Sequence, residues 1–212
     1  LNKRLSLLIS VVFHPLLMPT FLLGTLFFLA PSIVGTDVLG FTTRLTLLGF
    51  VAITTFTLPA LTVYYMYRAG YVSSLHLESL PERRLPYLVT ALVYGFMAYF
   101  FRYRLSPLSD VVPSIGVFLA SISFSVLLAG VISYWWKISA HAIGVGGFLG
   151  AIGAVAVKFT QLQLLVPLAV VVLIAGAVSS ARLRLNAHTP AQVAAGLGVG
   201  IFINVLTVWL FI

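Results

Sequence analysis

Long apolar runs separated by short polar interruptions form the pattern of this chain. A hydrocarbon core about 30 Å thick takes roughly 20 apolar residues per helix. Seven runs meet that length, at about 5–29, 45–67, 86–102, 111–134, 140–157, 163–180 and 190–211. The pattern predicts an all-α fold, a polytopic transmembrane helical bundle of six to seven spans, with 1–212 forming a single transmembrane domain. Pro15 and Pro19 fall inside the first run and predict a kink there. Turn-rich links are expected at 31–40 and around Ser106-Pro107 and Asp110, and 70–86 is the longest polar interruption. Tyr64, Tyr65 and Tyr67, then Tyr134, Trp135 and Trp136, and finally Trp209 read as amphipathic rings at the head-group level.

Composition sharpens this picture. The chain is 61% hydrophobic and 8% charged, whereas a soluble domain carries roughly 25% charged residues. Having no cysteine excludes disulfides, thiolate metal sites and cysteine nucleophiles. Lys3 and Arg4 precede an apolar run that continues past Phe28, which fits an uncleaved first helix better than a signal peptide. The net charge is +8, but the basic residues are scattered over short loops, so no nucleic-acid partner is expected. With a cytoplasmic N-terminus, Lys3, Arg4, Arg68, Arg83, Arg84, Lys137, Arg182 and Arg184 share one side, against Arg44, Arg102, Arg104 and Lys158 on the other. The positive-inside rule then puts the first group in the cytoplasm, and an integral protein of a bacterial inner membrane is the expected setting. Without Arg83, Arg84, Arg182 and Arg184, which chemistry also explains, the count is even.

The polar residues that are hard to explain as anchors lie in three loops, 70–86, 137–141 and 181–192. These follow the second, fourth and sixth spans, so an even number of crossings separates them and they share a face. They bring together Glu78, Glu82, Arg83, Arg84, Lys137, Ser139, His141, Arg182, Arg184, Asn186, His188 and Gln192. Histidines, guanidinium groups and a hydroxyl suit an anionic, phosphate-like ligand. Ser139-Ala140-His141 opens the fifth span and Thr189-Pro190 opens the seventh, and helix starts present free N–H groups to anions. Gly146 and Gly150, like Gly196 and Gly200, have the spacing that lets membrane helices approach closely. Such packing predicts that His141 and His188 lie near one another.

The order Ser139-Ala140-His141, then Arg182 with His188 six residues later, resembles the type 2 phosphatidic-acid phosphatase superfamily, membrane lipid phosphatases related to vanadium haloperoxidases. Its motifs are Lys, six residues, Arg-Pro; then Pro-Ser-Gly-His; then Ser-Arg, five residues, His, three residues, Asp. The resemblance covers about 78–192 with flanking helices. It implies that His188 is a nucleophile forming a phosphohistidine, and that His141 is the acid that protonates the leaving alcohol. It implies that Arg182, Ser139 and Arg84 bind the substrate phosphate, and that Gln192 stands where an aspartate orients the nucleophilic ring. No metal or other cofactor is implied, and the partners would be a lipid phosphate and membrane lipids. The sequence departs from the motifs at Glu78 for lysine, Leu85 between Arg84 and Pro86, Ile138 for proline, Ala140 for glycine, Ala181 for serine and Gln192 for aspartate. In a serine-protease triad, replacing such an aspartate by its amide costs about 10⁴ in rate.

Other readings of the same residues stay open. Thr189-Pro190-Ala191-Gln192 reads as a capping box with proline at the first helical position, and Ser79-Leu80-Pro81-Glu82 as a second box. Arg83 and Arg84 read equally as anchors. His14, followed by Pro15, reads as a neutral ring satisfied by a carbonyl that the proline frees. Asn204 reads as interhelical glue. His76, Glu78, Glu82, His141 and His188 offer metal-ligating types, but Arg83, Arg84 and Arg182 would repel a cation. Two functions follow: a lipid phosphate or diphosphate phosphatase, or a non-catalytic lipid-phosphate binder, carrier or channel.

Overall fold

A computed structural model describes residues 1–75, 77, 79–105 and 112–212. His76, Glu78, Ser106-Pro107 and Asp110 lie outside the described residues. The molecule is an all-α bundle, and seven helical stretches are long and apolar enough to cross a membrane: Lys3–Leu29, Phe41–Arg68, Leu80–Tyr103, Pro113–Ile132, Ala140–Lys158, Leu162–Arg184 and Pro190–Phe211. The outer surface carries large apolar side chains such as Leu92, Phe96, Leu173 and Phe202. Water does not favour such a surface and lipid does, so this is an integral membrane protein.

The first two spans are interrupted. The first is α1 (Lys3–Val12), a 3-10 turn at Pro15–Leu17 and α2 (Met18–Leu29). Pro15 has no N–H to continue α1 and Pro19 sits in the first turn of α2, so the expected kink is a full break. The second span is α3 (Phe41–Ala52), a π-helical turn at Ile53–Thr57 and α4 (Leu58–Arg68). Pro59 cannot donate to the carbonyl of Thr55, and the Tyr94 hydroxyl donates to it instead at 2.5 Å. The remaining spans are α5 (Leu80–Tyr103), α6 (Pro113–Ile132), α7 (Ala140–Lys158), α8 (Leu165–Arg184) and α9 (Pro190–Phe211). The third span starts earlier than the apolar run predicts, because Pro81 fits a first helical turn and Pro86 is carried inside the helix.

Glycine sets the closest helix pair, α7 against α9. A Cβ on Gly146 would meet Leu197 O at 2.6 Å, and one on Gly150 would meet Ile201 O at 2.6 Å. Gly196 faces Ser139 O and Gly200 faces Ile143 O. These are backbone contacts that no side chain can relieve by rotating, so both glycine pairs are needed for this approach. The Ser139 N–H also donates to Gln192 O at 3.4 Å, which joins the start of α7 to the start of α9. Asn204 accepts from the Ser121 hydroxyl at 3.0 Å and donates to Gly200 O, linking α9 to α6. The apolar core between these helices includes Leu22, Phe27, Phe101, Phe118, Ile152 and Val178.

Candidate functional site

Each polar group of the site is set by a local feature of its own helix end. Helix α9 opens with Thr189 as N-cap: its hydroxyl accepts from Gln192 N–H, and Gln192 Oε1 accepts from Thr189 N–H at 3.1 Å. The capping box therefore forms. Because Oε1 must be the acceptor there, the amide orientation is fixed. The same Oε1 lies 3.3 Å from His188 Nδ1, and Lys137 O lies 3.1 Å from it. Both partners accept, so His188 carries its proton on Nδ1 and keeps a lone pair on Nε2. His188 is 8% exposed. Burial first, then the guanidinium groups of Arg182 and Arg83, lower its imidazole to about 4, against the smaller opposing effect of Lys137 O and Gln192.

His141 sits in the first turn of α7. Its Nε2 is 3.0 Å from Ser10 O, so Nε2–H donates and Nδ1 holds the lone pair. Arg182 ends α8, and its Nη1 donates to the Ser10 hydroxyl at 3.3 Å. Its Nε is buried with no partner among the described residues. Arg83, in the first turns of α5 and 6% exposed, donates from Nε to Leu77 O at 2.8 Å and from Nη1 to Ile138 O at 3.2 Å. Neither of these two cations meets a carboxylate among the described residues. Glu82 is engaged elsewhere, accepting from Ser73 N–H and from the Ser79 hydroxyl. Ser79 thus donates to Glu82 and makes no cap bond, so the expected second capping box does not form.

These groups meet in one cavity of about 350 Å³, lined by His14, Arg83, His141, Arg182 and His188 at its polar part. Leu22, Val126, Gly147 and Phe148 continue it into the apolar bundle, with Thr90, Ser125 and Asn204 as neutral polar points. Of the residues expected at a phosphate, His188, His141 and Arg182 are gathered here. Arg84 is not part of this lining: its guanidinium stacks 4.2 Å over the Tyr134 ring, and its neighbour Arg83 lines the cavity instead. Ser139 is fully buried, its hydroxyl accepting from Ala142 N–H as the N-cap of α7, and it too is outside the lining. Gln192 reaches the cavity only through His188.

The structure also adds residues. His14 is not satisfied by a freed carbonyl: its Nδ1 accepts from Leu16 N–H at 3.3 Å, and its ring packs edge-on to His141 with centroids 5.6 Å apart. Tyr64, read from the sequence as an interface anchor, borders the cavity. Among the described residues no group of three or more His, Asp or Glu is placed to hold a metal ion. Comparison of the chain with protein-family models, curated proteins and solved structures finds no match.

Proposed function

We propose that this chain is a membrane-embedded phosphatase of lipid phosphate or diphosphate monoesters, working through a phosphohistidine on His188. One observation carries the reading: a buried imidazole with a free Nε2 lone pair shares an apolar-walled cavity with two guanidinium groups that lack carboxylate partners among the described residues. Buried cations without a carboxylate partner among the described residues are costly unless an anion completes them. Arg182 and Arg83 would hold the phosphoryl oxygens, so that Arg83 takes the role the family resemblance gives Arg84. His188 Nε2 attacks phosphorus, the P–O ester bond breaks, and the alcohol leaves with the proton of the phosphate monoester monoanion, because His141 keeps its one ring proton on Nε2 against Ser10 O. Water then cleaves the P–N bond, which releases phosphate and restores His188. Lys137 O and Gln192 Oε1 keep the ring oriented and face the positive charge it gains. The apolar continuation of the cavity accommodates a lipid chain. The count of basic residues supports a cytoplasmic N-terminus, with the site on the same side of a bacterial inner membrane.

A second reading is favoured by Gln192. Where a carboxylate would stabilise the imidazolium, His188 has a carbonyl and an amide oxygen shared with a helix cap. That suits a lipid-phosphate binder or carrier. Phosphate release from a panel of lipid phosphates and diphosphates, measured on the reconstituted protein, decides between them. Release that disappears in His188→Ala is the expected result. No release from any substrate, with orthovanadate still bound, would leave the binder.

A further inference from the structure

The cavity receives a side chain from outside the stretch that resembles the phosphatase family. Helix α1 ends at Val12, and His14 is extended, with ψ 139°, ahead of Pro15. The break removes the N–H that would have reached Ser10 O from four residues on, and the orphaned carbonyl takes His141 Nε2–H instead. His14 caps the turn that follows through Nδ1, which accepts from Leu16 N–H. A neutral imidazole that accepts at Nδ1 carries its proton on Nε2. That Nε2–H has no acceptor among the described residues, is not sealed from open space, and belongs to a ring that lines the cavity. The two neighbouring rings are opposite in kind. His141, donating at Nε2 to Ser10, offers a lone pair from Nδ1, which an oxyanion does not accept. His188 offers a lone pair from Nε2. Of the three neutral rings, His14 is the one with a free donor.

We infer that His14 is a binding residue of this cavity, donating Nε2–H to an oxygen of a bound phosphate-like anion, so that the broken first span forms part of the anion site. The inference rests on the oxyanion reading proposed above. The ligand oxygen belongs either to free phosphate or to a lipid phosphate.

Two substitutions separate a binding role from a capping role. His14→Asn keeps a short side-chain oxygen for Leu16 N–H but does not reach the ligand. His14→Gln places an amide N–H near the Nε2 position and weakens the cap. Orthovanadate, inorganic phosphate and a detergent-soluble alkyl phosphate are titrated into the purified full chain by calorimetry, with Arg182→Lys as a control. The expected result is about tenfold weaker vanadate binding in His14→Asn, the loss of one hydrogen bond to an anion, and near-parent binding in His14→Gln. Similar losses for all three ligands place the donor on a phosphoryl oxygen, and a loss confined to the alkyl phosphate places it on the ester oxygen. Either result supports a binding role. Parent-like binding of all three ligands by His14→Asn alongside weakened Arg182→Lys overturns the inference and leaves the oxyanion site. A parent that binds none of the three overturns both. A measurement without substitutions covers a variant that does not fold: diethylpyrocarbonate modification of the parent, mapped by mass spectrometry. Vanadate protection of His14 is expected, and modification unchanged by vanadate counts against the inference.

Discussion

At the scale of single residues, Gln192 serves two structures with one oxygen. Oε1 accepts from Thr189 N–H at 3.1 Å and from His188 Nδ1–H at 3.3 Å, so the capping box and the contact with the imidazole share the same side chain. Aspartate at 192 restores a carboxylate but is one methylene shorter, whereas glutamate keeps the length and still suits the third position of a capping box. Under the phosphatase proposal, Gln192→Glu should therefore raise phosphate release above the parent and above Gln192→Asp, measured as initial rates on one lipid phosphate. The same variant tests the electrostatics. His188 sits at about 4, below its ordinary 6.5, because burial, Arg182 and Arg83 oppose its charged form. The ring is then neutral at neutral pH and protonates only as pH falls through about 4. A carboxylate at 192 favours the imidazolium, so the acidic limb of the rate profile should move to higher pH in Gln192→Glu. The sign for stability agrees: the neutral buried ring contributes fully above 6.5, and that contribution is lost as pH falls towards 4. Arg182→Lys keeps the charge but not the fork that meets two oxygens at once, and should weaken vanadate binding about tenfold by calorimetry.

At the scale of helices, approach distance is written in glycine, and the site inherits it. A methyl on Gly150 would press on Ile201 O at 2.6 Å, while a methyl on Gly198 meets nothing within 4 Å. Gly150→Ala should lower the thermal midpoint in detergent, with a cost of about 1–3 kcal/mol for overpacking, and should weaken vanadate binding by separating His141 from His188. Gly198→Ala should leave both unchanged. The glycine spacing was legible in the sequence because a period of four on an apolar helix has few other uses. The choice between Arg83 and Arg84 was not: consecutive helical residues point about 100° apart, and only packing decides which side of α5 turns to the cavity. The placement of Ser139 was not legible for a similar reason: in the folded chain its hydroxyl is the N-cap of α7 and accepts from Ala142 N–H. His14 was hidden because a proline-freed carbonyl is a ready partner for a ring. In the folded chain the carbonyl freed by the break, Ser10 O, goes to His141 instead.

At the scale of the whole molecule, the seven helices able to cross a membrane and the cavity at His188 depend on a topology that alternation alone predicts. The connections after α4, α6 and α8 must share a face if every span crosses once, and the cavity draws Leu75 and Leu77 from the first of them and His188 from the last. The spans were legible because length and apolarity leave little alternative at 8% charge, whereas the cavity is lined by residues from several helices, Pro15, Leu16 and Pro19 of the first-span break among them, and no run of apolar residues reveals which of them meet. The sequence also makes the topology easy to test. It contains no cysteine, so each single-cysteine variant carries one thiol. Tyr71 and Trp135 are exposed on the connections after α4 and α6, and Val38 and Leu162 on those after α2 and α7. With a membrane-impermeant maleimide on intact cells and on inverted vesicles, Tyr71→Cys and Trp135→Cys should label from one side, and Val38→Cys and Leu162→Cys from the other. If Tyr71 and Trp135 label from opposite sides, the fourth-to-sixth helix arrangement cannot bring Arg83, Arg182 and His188 to one face, and the anion site fails with it. If the pairs separate as expected but the Tyr71 pair labels only from outside, the site stands and its orientation reverses. Under the lipid-phosphate proposal, the substrates to try are then those of the outer leaflet. Labelling of that pair from the cytoplasm agrees with the excess of Lys and Arg on this face and directs the substrate panel to lipids of the inner leaflet.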